Sequence, residues 1–339
     1  PHPFQASPHQ PSPSTPLPTL LASGHYRPAA IVAANLLTNS TSSTDAPTIF
    51  QLFHIRLSCL TVLNLHGLAA AEAKALGDLS SSFYRNPISG AHIVPWELRV
   101  LAVRLQGLGY GDWRRGVMGY YELAREARIA MVHAAPGSEE RKMWKARLRD
   151  VGIRVAAALV EMDEGEGAAR HLASLRRGEG DGGLEDARLR SVEALVWLRI
   201  GDVDAARECL KPLAPHDQPQ TTPTAALEAL IAMADGDLDS ALATWESLHA
   251  TYPSDAMIAQ NLAVCLLYTG RIAESRETLE KLVEKGDALQ AVTFNLATVY
   301  ELCTERSRER KGELAERVAE LAPGKTGRVW ERRGEDFKL

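Results

Sequence analysis

Asn261-Leu262-Ala263 recurs 34 residues further on as Asn295-Leu296-Ala297, and Gly236-Asp237 is followed at the same interval by Gly270-Arg271. Gly201-Asp202 stands 35 residues before Gly236. No other feature limits the fold of this chain so strongly. A unit of that length has room for two antiparallel helices and their turns. One such unit cannot cover its own apolar face, so units must stack until neighbours bury each other. The composition agrees: the chain leans towards Ala, Leu, Glu and Arg, aromatic residues are 6%, and β-branched runs are scarce. Those residues favour helices packed closely through small side chains.

The side chains at each register position have a physical reason. Gly236 follows the first helix of its unit, where a residue free to take positive φ ends a helix. Asp237 then helps to start the second helix. Ala241, five residues after the glycine, lets the two helices lie close, as Ala263 and Ala297 do in later units. Trp245, nine after, fills the gap to the next unit, and Pro253, seventeen after, stops the second helix. These offsets are those of the tetratricopeptide repeat. Weaker copies precede them. Gly201 is followed by Ala206, a degenerate turn in residues 162–175 leads to Ala169, and Gly111 is followed by Gly116. Residues 20–37 and 50–76 carry helical periodicity, with Gly24 and Gly67 at turn positions and Ala29 five after Gly24. Val94-Pro95-Trp96-Glu97 reads as a helix start, with Glu97 favoured by the helix dipole. The expected fold is therefore all-α, a tetratricopeptide-like α-solenoid of antiparallel helix pairs with seven to nine hairpins, strongest over residues 191–305.

Residues 1–18 are rich in Pro, Ser and His and are expected to be disordered, leaving residues 19–339 as the repeat domain. Shorter polar stretches at residues 39–48, 178–183 and 212–223 read as loops, and Asn39-Ser40-Thr41 fits a glycosylation sequon on an exposed loop. Hydrophobic residues make up 45% and charged residues 24% of the 339, as in soluble globular chains. The net charge of −5 argues against a nucleic-acid-binding domain. No apolar run reaches the ~18–20 residues of a membrane helix. Cys59, Cys209, Cys265 and Cys303 form no CxxC pair and read as small apolar residues in a reducing compartment. The chain begins at Pro1 without Met or visible signal peptide, so a cytosolic segment of something longer is expected.

Three stretches carry a family resemblance. Residues 261–283 (NLAVCLLYTGRIAESRETLEKLV) followed by 292–302 (VTFNLATVYEL) and a basic helix form one. Residues 93–101 (IVPWELRVL), with their Val-Pro-aromatic helix start, form the second, and the opening pair at residues 20–38 the third. Together they resemble the subunit 12 family of the trafficking protein particle (TRAPP) complex, with departures at the loops of residues 178–183 and 212–223. The resemblance implies a tetratricopeptide scaffold in a multisubunit tether that is also an exchange factor for a Rab-type GTPase. It implies traffic between endoplasmic reticulum and Golgi, and autophagy, with exchange carried by other subunits. Partners are then the other subunits, and membrane association is peripheral, through the complex. An adaptor in an unrelated assembly, such as a co-chaperone or ubiquitin-ligase subunit, is the alternative.

No residue pattern supports catalysis. Gly324-Lys325-Thr326 sits in a sequence like a phosphate-binding loop, but the glycine needed five residues before Gly324 is Ala319, so no nucleotide or other small-molecule ligand is expected. The histidines show no HxxxH or HExxH, so neither metal nor cofactor is expected. No GxSxG elbow occurs. The inner-facing positions of the last two units should include Gln260, Val264, Phe294 and Thr298, an apolar and amide groove without a cation. Arg306–Lys311 reads as a solvated helix face paired with Glu305, Glu309 and Glu313, or as a contact to an acidic partner or anionic membrane. A capping helix over residues 305–321 is followed by a polar tail. Trp330 and Phe337 in that tail are expected to be exposed and to dock a partner, with the solenoid folded in its absence.

Overall fold

Helix starts in this chain are set by short polar side chains that accept a hydrogen bond from the first turn. Asp45 accepts from the Thr48 N–H, Asp112 from Arg115, Ser138 from Arg141, Asp202 from Ala205 and Asp237 from Ser240, while Asp255 accepts from both Met257 and Ile258. The intervening turns need left-handed backbone. Gly236 supplies it with φ of 85°. In the less regular first half, Asn64 and Asp163 do so, at 57° and 60°. These residue types bear the conformation at low cost because a short polar side chain bonds locally. Gly67, expected at a turn, instead lies in the first turn of a helix, because Asn64 has taken the turn position.

The computed structural model describes residues 3–88, 90–177, 184–211, 222–321, 329–331 and 334–339. The Gly-rich loop at residues 178–183, most of the Pro-rich loop (212–221) and Gly324-Lys325-Thr326 lie outside them. The chain divides into two compact units. The first comprises Pro16–Leu21 and His25–Gly182; the second comprises Pro1–Thr15, Ala22–Gly24 and Gly183–Leu339.

In the first unit the helices are α1 (Leu17–Ala22, whose last residue falls in the other unit), α2 (Tyr26–Asn39), α3 (Ala46–Val62) and α4 (His66–Ala73), followed by α5 (Trp96–Tyr110), α6 (Trp113–His133), α7 (Glu139–Glu161) and α8 (Gly165–Arg177). Sequential helices pack on one another, and α3 also meets α5, as first helices of successive pairs do in a solenoid. Ala69 and Ala70 of α4 are buried with Leu98 and Leu105 of α5. Gly109 is required here. A Cβ on it would overlap the Ala70 side chain and press on the His66 carbonyl oxygen, so only glycine admits this approach. Leu123 and Ala127 of α6 pack with Val151 and Val155 of α7 in a second cluster.

The second unit holds α9 (Leu184–Ile200), α10 (Val203–Leu210), α11 (Thr222–Asp235), α12 (Leu238–Thr251), α13 (Ala256–Tyr268), α14 (Ile272–Glu284), α15 (Gln290–Cys303) and α16 (Ser307–Glu320). Ala206 packs against Leu227 and Ile231, and Ala241 and Trp245 bury completely against Ile258 and Leu262 of the next pair. Ala263 and Ala297 are wholly buried, and Ser275 donates to the Ala263 carbonyl at 2.7 Å. Gly201 and Gly270 take positive φ at their turns, and α12 ends just before Pro253.

The chain termini differ from expectation. Residues 3–9 pack against the last helix pair. Phe4 is 1% exposed, Ser7 donates to the Ala319 carbonyl at 2.6 Å, and His9 Nε2 lies 3.0 Å from the Glu320 carbonyl oxygen. Trp330 and Phe337 are buried in the same cluster as Phe4, with Leu296, Leu314 and Val318. The end pair of a solenoid leaves one apolar face without a neighbouring repeat, and both termini supply the cover. Among the described residues no helix is long and apolar enough to cross a membrane.

Candidate partner-binding surfaces

On α13, Gln260 and Val264 stand one turn apart and are half-buried; on α15, Phe294 is 46% exposed and Thr298 lies one turn after it. Phe294 and Thr298 both meet the C-terminal residues of the chain itself. The Lys338 ammonium lies 5.4 Å from the Phe294 ring centroid and 3.3 Å from the Thr298 hydroxyl. Lys338 also pairs with Glu301, and Gln290 donates to Asp336 at 2.7 Å. The C-terminal residues thus lie along part of the α15 face that carries Phe294 and Thr298, and Phe294 stays exposed beside them.

Lys311 explains part of this latch. It was expected on a solvated face, but it is 7% exposed and donates to Glu301 at 2.6 Å and to the Lys338 carbonyl at 3.1 Å. Hydrogen bonds from Lys311 and Lys338 hold the Glu301 carboxyl below the usual carboxylate range. Within the basic run Arg310 makes an expected pair, with Glu313 at 3.2 Å. Trp330 and Phe337 are correspondingly core residues: the Trp330 indole donates to the Leu321 carbonyl at 3.2 Å. A buried indole needs that acceptor.

The first unit carries an open groove of about 480 Å³ whose lining comes wholly from α3, α5 and α7. Trp96, Val100 and Leu101 of α5 and Met143 of α7 make it apolar. The Arg147 guanidinium lies 5.3 Å from the Trp96 ring centroid and 4.8 Å from that of Trp144, and the two indoles meet edge to face at 5.5 Å. Both distances are those of cation–π attraction, in which the ring face draws the guanidinium charge. Glu97 reaches Arg147 only at 3.5 Å, and Asp150 takes the Arg154 Nε–H at 2.7 Å. Burial pushes the His54 imidazole down, against the pull of Glu97. None of these residues is marked by the 34-residue register, which fades in the first half. The signal available was Trp144 and Arg147, three apart on one helix face.

Helix pairs stacked through Gly, Ala and Trp at fixed offsets make this chain an all-α repeat protein of the tetratricopeptide type, and the tetratricopeptide repeat family profile matches residues 232–292. A tetratricopeptide repeat protein of Parabacteroides merdae aligns over 92% of this chain and 97% of its own, at 11% identity and a TM-score of 0.47. The chain is also similar to trafficking protein particle complex subunit 12. The mouse protein is 23% identical across 89% of this chain, and the human protein 25% identical across 84%. In both cases the match spans 42% of the relative's own length.

Proposed function

We propose that this chain is a non-catalytic scaffold of a TRAPP-type vesicle-tethering complex, holding other subunits through the faces of its helix pairs. The observation that carries this reading is the breadth of the similarity: it runs through both units, over 89% of the chain, to a subunit of that complex. On this reading the protein serves transport from endoplasmic reticulum to Golgi, and autophagy. Exchange on a Rab-type GTPase belongs to other subunits, and the chain associates with membranes peripherally, through the complex. Gln260 and Val264 of α13 are contacts for a partner, as is the α3–α5–α7 groove, whose apolar floor and open mouth suit a protein segment.

Affinity purification of the tagged chain from cells, followed by mass spectrometry, tests this. Recovery of the other tether subunits is the expected result. Recovery of chaperones or ubiquitin-ligase subunits in their place would assign the chain to an unrelated assembly.

A further inference from the structure

Helix α6 packs on α5 and α7 through Tyr120, Leu123, Ala124 and Ala127, all of them buried. The opposite arc of the helix is open to water. Met118, Tyr121, Ile129 and Val132 lie on it and are between 50% and 72% exposed. Arg114, Arg115, Arg125 and Arg128 lie on it too, all exposed and without an ion-pair partner among the described residues. At ~100° per residue these positions fall within roughly 140° of the helix circumference, together with Glu122 and His133. Glu126, at the edge of the arc, is taken by Arg99. In a chain of net charge −5, this face therefore sets four arginines against one carboxylate.

The order of these side chains along α6 says what such a face suits. It runs as two arginines, Met118 and Tyr121, two more arginines, then Ile129 and Val132. A protein interface gathers its apolar side chains at the centre and leaves charges to the rim. Here an arginine pair stands between two apolar pairs, where a protein partner would have to strip its water. At a bilayer surface the same pair extends to the lipid headgroups while its neighbours enter the acyl boundary. From Arg114 to Val132 the face is ~27 Å long at ~1.5 Å per residue, enough for a helix lying in the interface plane. The loop before α5 adds an aromatic side chain beside it. Arg85 of that loop reaches Glu126 at 3.6 Å, and Phe83 is 78% exposed.

From this we infer that the outward face of α6 binds an anionic membrane surface, with its four arginines on lipid headgroups and Met118, Tyr121, Ile129 and Val132 in the acyl boundary. This goes beyond the scaffold reading above, in which membranes are reached through other subunits. The two sets of side chains act together. Arginines alone adsorb to anionic lipid in a salt-labile way, and a few apolar side chains alone hold a helix only marginally.

The test is flotation of the full chain with phosphatidylcholine vesicles containing about 30% phosphatidylserine, beside vesicles of phosphatidylcholine alone. The chain should float with the anionic vesicles and stay behind with the neutral ones. Arg125→Glu with Arg128→Glu should reduce flotation at least fivefold, and so should Met118→Ser with Ile129→Ser. Melting temperatures should not change, because all four side chains are exposed. Arg306→Glu with Arg308→Glu takes the same charge from the basic run at the start of α16 and should leave flotation unchanged. Equal flotation with neutral vesicles, or an equal loss from the α16 pair, would overturn the inference. Indifference to Met118→Ser with Ile129→Ser would also overturn it and leave a face for any acidic partner. A dimer abolished by that same pair of substitutions, with no flotation, would assign the face to a second copy of the chain. Flotation of a chain that recovers no tether subunits would keep the membrane face and remove the tether. Recovery of the tether with no flotation would do the reverse.

Discussion

The Phe4 ring stands edge-on to the Trp330 indole, their centroids 5.4 Å apart and their planes at 85°, while Phe337 lies 6.3 Å from Phe4 on a tilted plane. Two residues from opposite ends of the chain thereby close the apolar face of the last helix pair. The geometry is the preferred one for aromatic rings, whose positive edges seek negative faces.

Removing either end should therefore unfold structure. Phe4→Ala is expected to cost about 3–5 kcal/mol, the range for a buried phenylalanine. A double-mutant cycle with Trp330→Ala should return a coupling of roughly 0.5–1.5 kcal/mol from the ring pair. Deleting residues 325–339 removes Trp330 and Phe337 together and should lower the melting temperature more than Phe4→Ala does. A truncated chain that melts like the parent would restore the view of this tail as a loose docking segment.

The repeat register makes a second prediction. Ala241 and Ala263 have no exposed surface. Ala241→Leu or Ala263→Phe must push helices apart, at a cost of ~1–3 kcal/mol. Chemical denaturation of these variants should be compared with Glu274→Gln, which loses only the solvent-screened pair to Arg271. Equal midpoints would mean that the small residues are not at the tight crossings.

Arg99 and Glu126 tie α5 to α6. Arg99 is 6% exposed and meets both carboxylate oxygens of Glu126, at 2.9 and 2.6 Å. Burial alone would raise the Glu126 carboxyl, but hydrogen bonds from Arg99 and the charges of Arg99 and Arg85 hold it below the usual range. Such a group stabilises the fold above its unfolded value and loses that contribution as pH falls through the folded one. Arg99→Met should cost ~2 kcal/mol at pH 7, less than the ~3–5 kcal/mol of a fully buried pair, since Glu126 keeps some solvent contact. Urea melts should show the gap between variant and parent narrowing below about pH 4.

His92 gives the first unit a dependence on mild acid. The Val94 N–H donates to its Nδ1 at 3.0 Å, so Nε2 bears the proton and faces the Leu79 carbonyl oxygen at 2.8 Å. That pair of bonds requires the neutral ring. Burial pushes the imidazole down, more than the Leu79 contact raises it. Burial likewise depresses His54 and His171. A histidine depressed on folding stabilises above the unfolded value of ~6.5 and loses that contribution as pH falls. The melting temperature should drop between pH 7.5 and 5.5, and His92→Gln should make the drop smaller. An unchanged drop would mean that His92 does not titrate in this window.

Gly236, Ala241, Trp245 and Pro253 could be placed from sequence because their roles are local. Each is set by distance from a turn, and every unit repeats the same helix geometry, so agreement between units reveals the register. Asn64 shows where this fails: a turn can be made by any residue that bears left-handed backbone, and Gly67 nearby was the false mark. Phe4, Trp330 and Phe337 could not be placed this way. An aromatic ring among charges and prolines buries wherever apolar surface remains uncovered, and that surface exists only once the repeats have stacked. The groove arginines are the same in kind. Arg147 beside both Trp96 and Trp144 depends on α5 and α7 lying close enough for one side chain to reach both indoles. The repeating interior is thus legible from the sequence, because short-range periodicity dictates it. The closed end and the arginine-lined groove were decided by tertiary structure, because there distant segments meet through non-directional burial and through charges that no local spacing records.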